Sequence, residues 1–263
     1  MKTVYIVDAV RTPIGRYNGA LAAVRPDDLA GHVIRQLLGH TPELDPAAIG
    51  DVYFGNANGA GEENRNVARM AALLAGLPTS VPGVTVNRLC ASGLEAVIQG
   101  YRAIALGDAS VIVVGGVESM TRAPYVLPKS DRPFPAGHAE LYSTTLGRRM
   151  VNPRMDPQWT IPLGESAELI ADKHKISREQ QDEFALASHR KATVAGEQGL
   201  FDVESAPVPV PQRKGEPVAF AADECVRPDA SLAAMARLKP SFRSVGGTVT
   251  AGNASPLNDG AAA

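Results

Sequence analysis

Cysteine is scarce in this chain of 263 residues: only Cys90 and Cys225 occur. Two thiols are too few for a disulfide framework, and no Cys/His cluster has metal-ligand spacing, so neither a stapled secreted scaffold nor a metal centre is expected. Two lone thiols fit a reducing compartment. Basic runs are missing too. The formal charge of −2 is spread along the sequence, leaving no electrostatic footprint for binding many phosphates, so nucleic acid is not an expected partner. No apolar stretch reaches the roughly 18 to 20 residues of a membrane span. The opening Lys2-Thr3-Val4-Tyr5-Ile6-Val7 meets Asp8 too early for a signal peptide. A cytoplasmic location without a membrane partner is therefore the expectation. Internal repeats and low-complexity segments are absent as well.

What is present is an ordinary globular composition, 44% hydrophobic, enough to bury a core and to make disorder a poor description. Val4 to Val7 reads as a short buried strand, ended by Asp8 and the loop Arg11-Thr12-Pro13. From Asp27 the residues Leu29, Val33 and Leu37 recur at helical spacing beside Ala30, Ile34 and Leu38, which predicts an amphipathic helix stopping near Gly39. A strand around Val52-Tyr53-Phe54 follows, then an alanine-rich helix from about Asn66 to Ala75, closed by Gly76 and Pro78. Val84 to Val86 reads as a third strand, and a helix from near Cys90 to about Leu106 as the next element. Val111-Ile112-Val113-Val114 is an unbroken β-branched run ending in Gly115-Gly116, the pattern of a central strand covered by helices on both faces.

This alternation indicates an α/β fold, a layered α/β/α domain with a mixed, largely parallel sheet, over residues 1–120. Residues 121–245 have a different texture, with proline clusters at both ends, and read as a loop-rich helical insertion. Within it, Ser177 and Gln180 form a capping box for a helix running to about Gln198, with Gly199 as its stop. Thr248-Val249-Thr250 reads as a strand that rejoins the first sheet, so residues 246–263 are assigned to the α/β domain.

Cys90 lies in Val86-Asn87-Arg88-Leu89-Cys90-Ala91-Ser92-Gly93, between a predicted strand and a predicted helix. At a helix N-terminus the free N–H groups and the dipole stabilise a thiolate, and Ala91, Ser92 and Gly93 leave room for a substrate. Cysteine is also among the most often buried residues, and position alone leaves both readings open.

The flanking residues decide between them. This segment resembles the nucleophile motif of the thiolase family, and the resemblance recurs in order along the chain. Asp8-Ala9-Val10-Arg11-Thr12-Pro13-Ile14-Gly15 is similar to the family's opening. Gly115-Gly116-Val117-Glu118-Ser119-Met120 is similar to its glycine-rich strand end, and Gly252 to Gly260 to the signature closing its first half. The resemblance implies an acyl-CoA acyltransferase in which Cys90 carries the acyl group as a thioester, with an acid/base partner and an oxyanion hole. It places the family's catalytic histidine, second cysteine and asparagine in a C-terminal half absent from this chain, and gives no catalytic role to His32, His40, His138, His174 or His189.

For coenzyme A, as a substrate and not a tightly bound cofactor, the resemblance points to the segment from Arg227 to Leu257. Arg227 would lie near the adenine and phosphate end, Leu238 and Phe242 would pack on pantetheine or adenine, and Ala251, Ser255 and Leu257 would line the tunnel. Pro162-Leu163-Gly164 stands where many acetyl-CoA thiolases have His-Met-Gly, which makes Leu163 a candidate for a non-acetoacetyl acyl pocket. The segment from Glu62 to Arg69 is closer to thiolases of the 3-oxoadipyl-CoA type; it also reads as a charged helix start with a subunit contact. The implied partners are acyl-CoA and CoA, and the implied assembly is a homodimer or homotetramer. The alternative is a noncatalytic thiolase-like protein that binds acyl-CoA or assembles with an enzyme.

Overall fold

The computed structural model describes residues 2–146 and 149–263. The chain forms two compact units, Met1–Gly147 with Asp202–Glu224 and Asn258–Ala263, and Arg148–Phe201 with Cys225–Leu257.

The first unit is built on a five-stranded mixed sheet: β1 (Gly15–Arg16), β2 (Ile49–Gly55), β3 (Val84–Val86), β4 (Val111–Ser119) and a C-terminal strand, Asn258–Ala262, designated β9. The strand order is β1-β9-β4-β2-β3. β2 runs parallel to both β3 and β4, whereas β9 is antiparallel to β1 and β4. Three helices cover the sheet: α1 (Pro26–His40), α2 (Val67–Leu74) and α3 (Ser92–Leu106).

Strand alternation assigns the faces. Val52 and Phe54 of β2 and Val113 and Val117 of β4 join Leu29, Val33 and Ile34 of α1 and Val67, Ala68 and Ala71 of α2 in one buried cluster. The alternate residues Tyr53, Ile112 and Val114 meet α3 at Gly100. β4 is thus central and covered on both faces, as its β-branched run predicts. It continues through the glycine pair to Ser119 because Gly115 and Gly116 register with Phe54 and Gly55 on one side, and Gly116 with Ala262 on the other.

The small hairpins β5–β6 (Tyr125–Val126, Tyr142–Ser143) and β7–β8 (Val208–Val210, Val218–Phe220) also belong to this unit. Residues 202–224 are tied to the sheet by Arg11, which donates from Nε to Glu204 (2.7 Å) and from Nη1 to Asp223 (2.8 Å). The observed division therefore differs from a boundary at residues 120 and 246: 121–147 and 202–224 fall with the sheet, and 246–257 with the other unit.

The second unit holds α4 (Leu163–His174), α5 (Arg178–Glu197) and the short α6 (Leu232–Met235). The α5 capping box is complete, with Ser177 and Gln180 bonding reciprocally. α4 begins after Pro162 without a side-chain cap, and so without a local start signal like that of α5. No helix among the described residues is long and apolar enough to cross a membrane.

Two sequence expectations are corrected. Val4–Val7 is not a strand: Tyr5, Ile6 and Val7 are 77–84% exposed. Pairing begins only at Val10, whose N–H and C=O both bond Ala263, and an extended run without a neighbour makes no ladder. Thr248-Val249-Thr250 does not rejoin the sheet either. The amides of Thr248 and Val249 donate to the buried Glu168 carboxylate of α4 (2.8–2.9 Å), and the strand that does join is β9.

Candidate functional site

Cys90 is exposed and lies just before the N-cap Ala91 of α3. Strand β3 ends at Val86 and α3 begins at Ser92, so five residues, Asn87 to Ala91, turn the chain from sheet to helix. Leu89 takes the left-handed conformation, φ 52°, a backbone state that a leucine adopts only under constraint.

Hydrogen bonds hold that turn from both sides. Asn87 Oδ1 accepts from the Leu89 amide (2.9 Å). The Ser92 hydroxyl accepts from the Arg88 amide (2.9 Å) and donates to the Leu89 carbonyl (2.6 Å), which also accepts the Ser92 amide. One turn further, Arg88 Nε donates to Glu95 (2.7 Å), and Glu95 also accepts from Gln99 (2.6 Å). The Arg88 hydrogen bond, followed by that of Gln99, holds the Glu95 carboxyl below its ordinary range.

The helix start packs directly on the end of β2. A Cβ on Gly55 would overlap the Ser92 carbonyl group and the Gly93 amide, so only glycine permits this approach. Gly93 has open space around its Cα. The result is an exposed thiol at the end of the helix whose first-turn amides the helix itself cannot satisfy. This arrangement suits a nucleophile and the anionic intermediate that follows its attack.

Beneath the turn lies a polar layer with no local sequence signal. Asn87 Nδ2 donates to the Ala57 carbonyl (3.0 Å), and the Ala57 amide donates to Glu118 Oε2 (2.8 Å). Burial pushes the Glu118 carboxyl up, the Ala57 hydrogen bond opposes this, and the charge of Glu63 adds to it. Glu63 is itself buried and likewise raised by burial. Glu118 lies in the Gly115–Met120 motif and Glu63 in the Glu62–Arg69 segment, and neither motif signals by itself that its carboxyl is buried.

The segment from Glu62 to Arg69 is absorbed by the scaffold. Glu62 pairs with Arg122 and, at 3.4 Å, with Arg25. Asn66 caps α2 and bonds Thr85 and Gly83, and Arg69 bonds the Val81 and Thr79 carbonyls. These charges border an open depression lined by Asn18, Arg25, Glu62, Thr121 and Arg122, in which the two arginines are already engaged by acids.

In the second unit the residues assigned to coenzyme A come together in part. Exposed Arg227 reaches the Ala251 carbonyl through Nη1 (3.4 Å), while its amide donates to His189 Nδ1 (3.2 Å). Burial, then the charge of Arg227, keeps His189 below its ordinary pKa; this histidine was not among the expected site residues. Leu238 lies against Gly252, next to Ala251. The Phe242 ring occupies the space a Cβ on Gly164 would need, which brings Phe242 beside the exposed Leu163. Ser255 is exposed and Leu257 half-buried in the segment leading to β9.

The comparisons with known proteins agree with this architecture. The family model described as thiolase, N-terminal domain, matches residues 4–263. The β-ketoadipyl-CoA thiolase of Pseudomonas knackmussii is 53% identical over 263 residues, all of this chain and 65% of that relative, so the chain spans less than two thirds of its length. The crystal structure of the Bacillus anthracis acetyl-CoA acetyltransferase superposes with a TM-score of 0.87 at 40% identity, covering 97% of this chain and 62% of that one. Human mitochondrial 3-ketoacyl-CoA thiolase in complex with CoA superposes at 0.85 with 33% identity, covering 97% and 61%. With the family's N-terminal domain matched from residue 4 to residue 263 and its fold reproduced around the Cys90 turn, this chain belongs to the thiolase family.

Proposed function

We propose that this chain supplies the nucleophile and a coenzyme A wall of an acyl-CoA C-acyltransferase acting on 3-ketoacyl-CoA. One observation carries the reading: an exposed cysteine on a constrained strand-to-helix turn, at the amide end of α3. In the degradative direction Cys90 Sγ attacks the 3-keto carbon, the bond to the α-carbon breaks, and acetyl-CoA leaves as the carbanion takes a proton. The shortened acyl group remains on sulfur until a CoA thiolate displaces it. In the synthetic direction Cys90 Sγ takes the acetyl group of acetyl-CoA, CoA leaves as its thiolate, and a second acyl-CoA carbanion attacks the acetyl carbon. The acid/base groups that move these protons are expected outside this chain.

For the coenzyme we propose Arg227, Leu238, Phe242, Ala251, Ser255 and Leu257 of the second unit, with Leu163 at the acyl pocket. Support comes from the Arg227–Ala251 and Phe242–Gly164 contacts and from the CoA complex named for the human structural neighbour. A substrate of the 3-oxoadipyl-CoA class is favoured by the name of the 53% identical relative and by Pro162-Leu163-Gly164. The working form we propose is a cytoplasmic homodimer or homotetramer.

The test is intact mass of the full-length protein before and after acetyl-CoA. An acetyl adduct that maps to Cys90 and disappears in Cys90→Ala supports the reading. A Cys90→Ala variant that still turns over removes Cys90 from the chemistry, and a parent that acquires no adduct and shows no turnover favours a noncatalytic CoA-binding protein. Comparison of kcat/KM for 3-oxoadipyl-CoA and acetoacetyl-CoA then decides the substrate class.

A further inference from the structure

We propose that Asn87 is a positioning residue for Cys90, anchored through the Ala57 peptide to Glu118, so that the nucleophile turn is set by the end of β4 and not by local backbone preference alone. The inference rests on Cys90 being the nucleophile. Cys90 is exposed and is aimed by its flanking peptides. The upstream peptide is that of Leu89, held in the left-handed region, from which an unrestrained leucine would relax. A local Asx turn from Asn87 to the Leu89 amide explains part of the restraint.

The other half of the Asn87 amide has a different task. Its Nδ2 bonds the Ala57 carbonyl, and the Ala57 amide bonds Glu118. One residue, Ala57, is thus held at both its amide and its carbonyl, between a side chain three residues before the nucleophile and a carboxyl at the end of the central strand. Asn56 secures the same link: its amide donates to Val86 O (3.1 Å) and its Nδ2 to Val117 O (2.8 Å). The path Glu118–Ala57–Asn87–Leu89 is continuous. Opposite it, Ser92 closes the turn from the helix side. Burial favours the neutral form of Glu118, so a glutamine can offer Ala57 the same acceptor.

Four variants of the full-length protein separate the possibilities. Asn87→Ala removes both bonds. Asn87→Ser keeps a short acceptor for the Leu89 amide and cannot reach Ala57. Glu118→Ala releases the Ala57 amide, and Glu118→Gln keeps it. Single-turnover acetylation of Cys90 by acetyl-CoA and steady-state thiolysis are measured together. The expectation is that Asn87→Ala, Asn87→Ser and Glu118→Ala lower the acetylation rate and kcat by about tenfold or more, because misaimed reacting atoms lose orientation. KM for CoA stays within about twofold, and Glu118→Gln retains the parental rate.

Parental rates in Asn87→Ser or Glu118→Ala overturn the inference while leaving Cys90 as nucleophile. A kcat loss in Glu118→Gln equal to that in Glu118→Ala also overturns it, because the carboxyl would then act through its charge. If the Asn87 variants do not fold, the Glu118 pair reads the same link. A parent that forms no adduct on Cys90 overturns the nucleophile assignment, and the inference with it.

Discussion

Gly55 and Ser92 meet backbone to backbone, and a single added methyl group on Gly55 would occupy the Ser92 carbonyl position. This contact sets how closely α3 approaches β2, and so where Cys90 stands above the sheet. Gly55→Ala must push the helix start away or distort the strand, an overpacking cost of roughly 1–3 kcal/mol. The expected outcome is a lower melting temperature together with slower acetylation of Cys90. A variant that melts and reacts like the parent would show that the helix start yields without consequence.

Glu168 organises the turn at residues 248–250. Burial alone would raise its carboxyl, but hydrogen bonds from Val249 and Thr248 outweigh burial and hold it below the ordinary range. Its folded-state value lies below the unfolded one, so the stabilisation is complete above the unfolded value and is lost as pH falls through the folded value. Glu168→Gln is expected to cost roughly 2 kcal/mol near neutral pH, the range for hydrogen bonds to a charged acceptor. Thermal unfolding across pH checks this: the gap between parent and variant should shrink in acid, and a gap that grows would mean the carboxylate is not the stabilising species.

Much of this architecture was legible because its causes are local. The capping box at Ser177 and Gln180, the apolar spacing of Leu29, Val33 and Leu37, and the β-branched run of β4 each carry their own instruction. The strand-to-helix position of Cys90 could be read for the same reason. The misread segments are those whose hydrogen bonds go to distant partners. Thr248-Val249-Thr250 has strand composition, but its amides go to a carboxylate 80 residues away. Val4–Val7 has strand composition without a neighbouring strand among the described residues. The Glu118–Ala57–Asn87 link and the Arg227–His189 contact span 61, 30 and 38 residues, beyond any periodicity.

Phe242 packs on Gly164 with no space for a side chain between them. If this ring borders coenzyme A, Gly164→Ala will move it and weaken CoA binding without touching the nucleophile. KM for CoA should rise about five- to tenfold, on the order of 1 kcal/mol, with kcat little changed. Phe242→Ala should reproduce the effect. A fall in kcat at constant KM in both variants would take Phe242 out of the coenzyme wall and make it part of the acyl site.

Helix α3 is apolar on two faces. Ala96, Gly100 and Ala103 face β2 and β4, while Leu94, Val97 and Tyr101 recur along the outer side and are 37–64% exposed. A second apolar face beyond the one packed on the sheet is more than a surface helix needs, and a bare apolar stripe is uncommon on a soluble monomer. The relatives extend beyond the length of this chain, and the expected cover is the region by which they exceed it. Leu94→Glu distinguishes a covered face from a solvated one. In the 263-residue chain by itself it should change stability by no more than about 0.5 kcal/mol, as at an ordinary surface position. In a chain that spans the whole length of the relatives it should cost about 3 kcal/mol or more, because an unpaired carboxylate would be buried. Equal, small effects in both, measured by denaturant unfolding, would mean that this face of α3 stays in water.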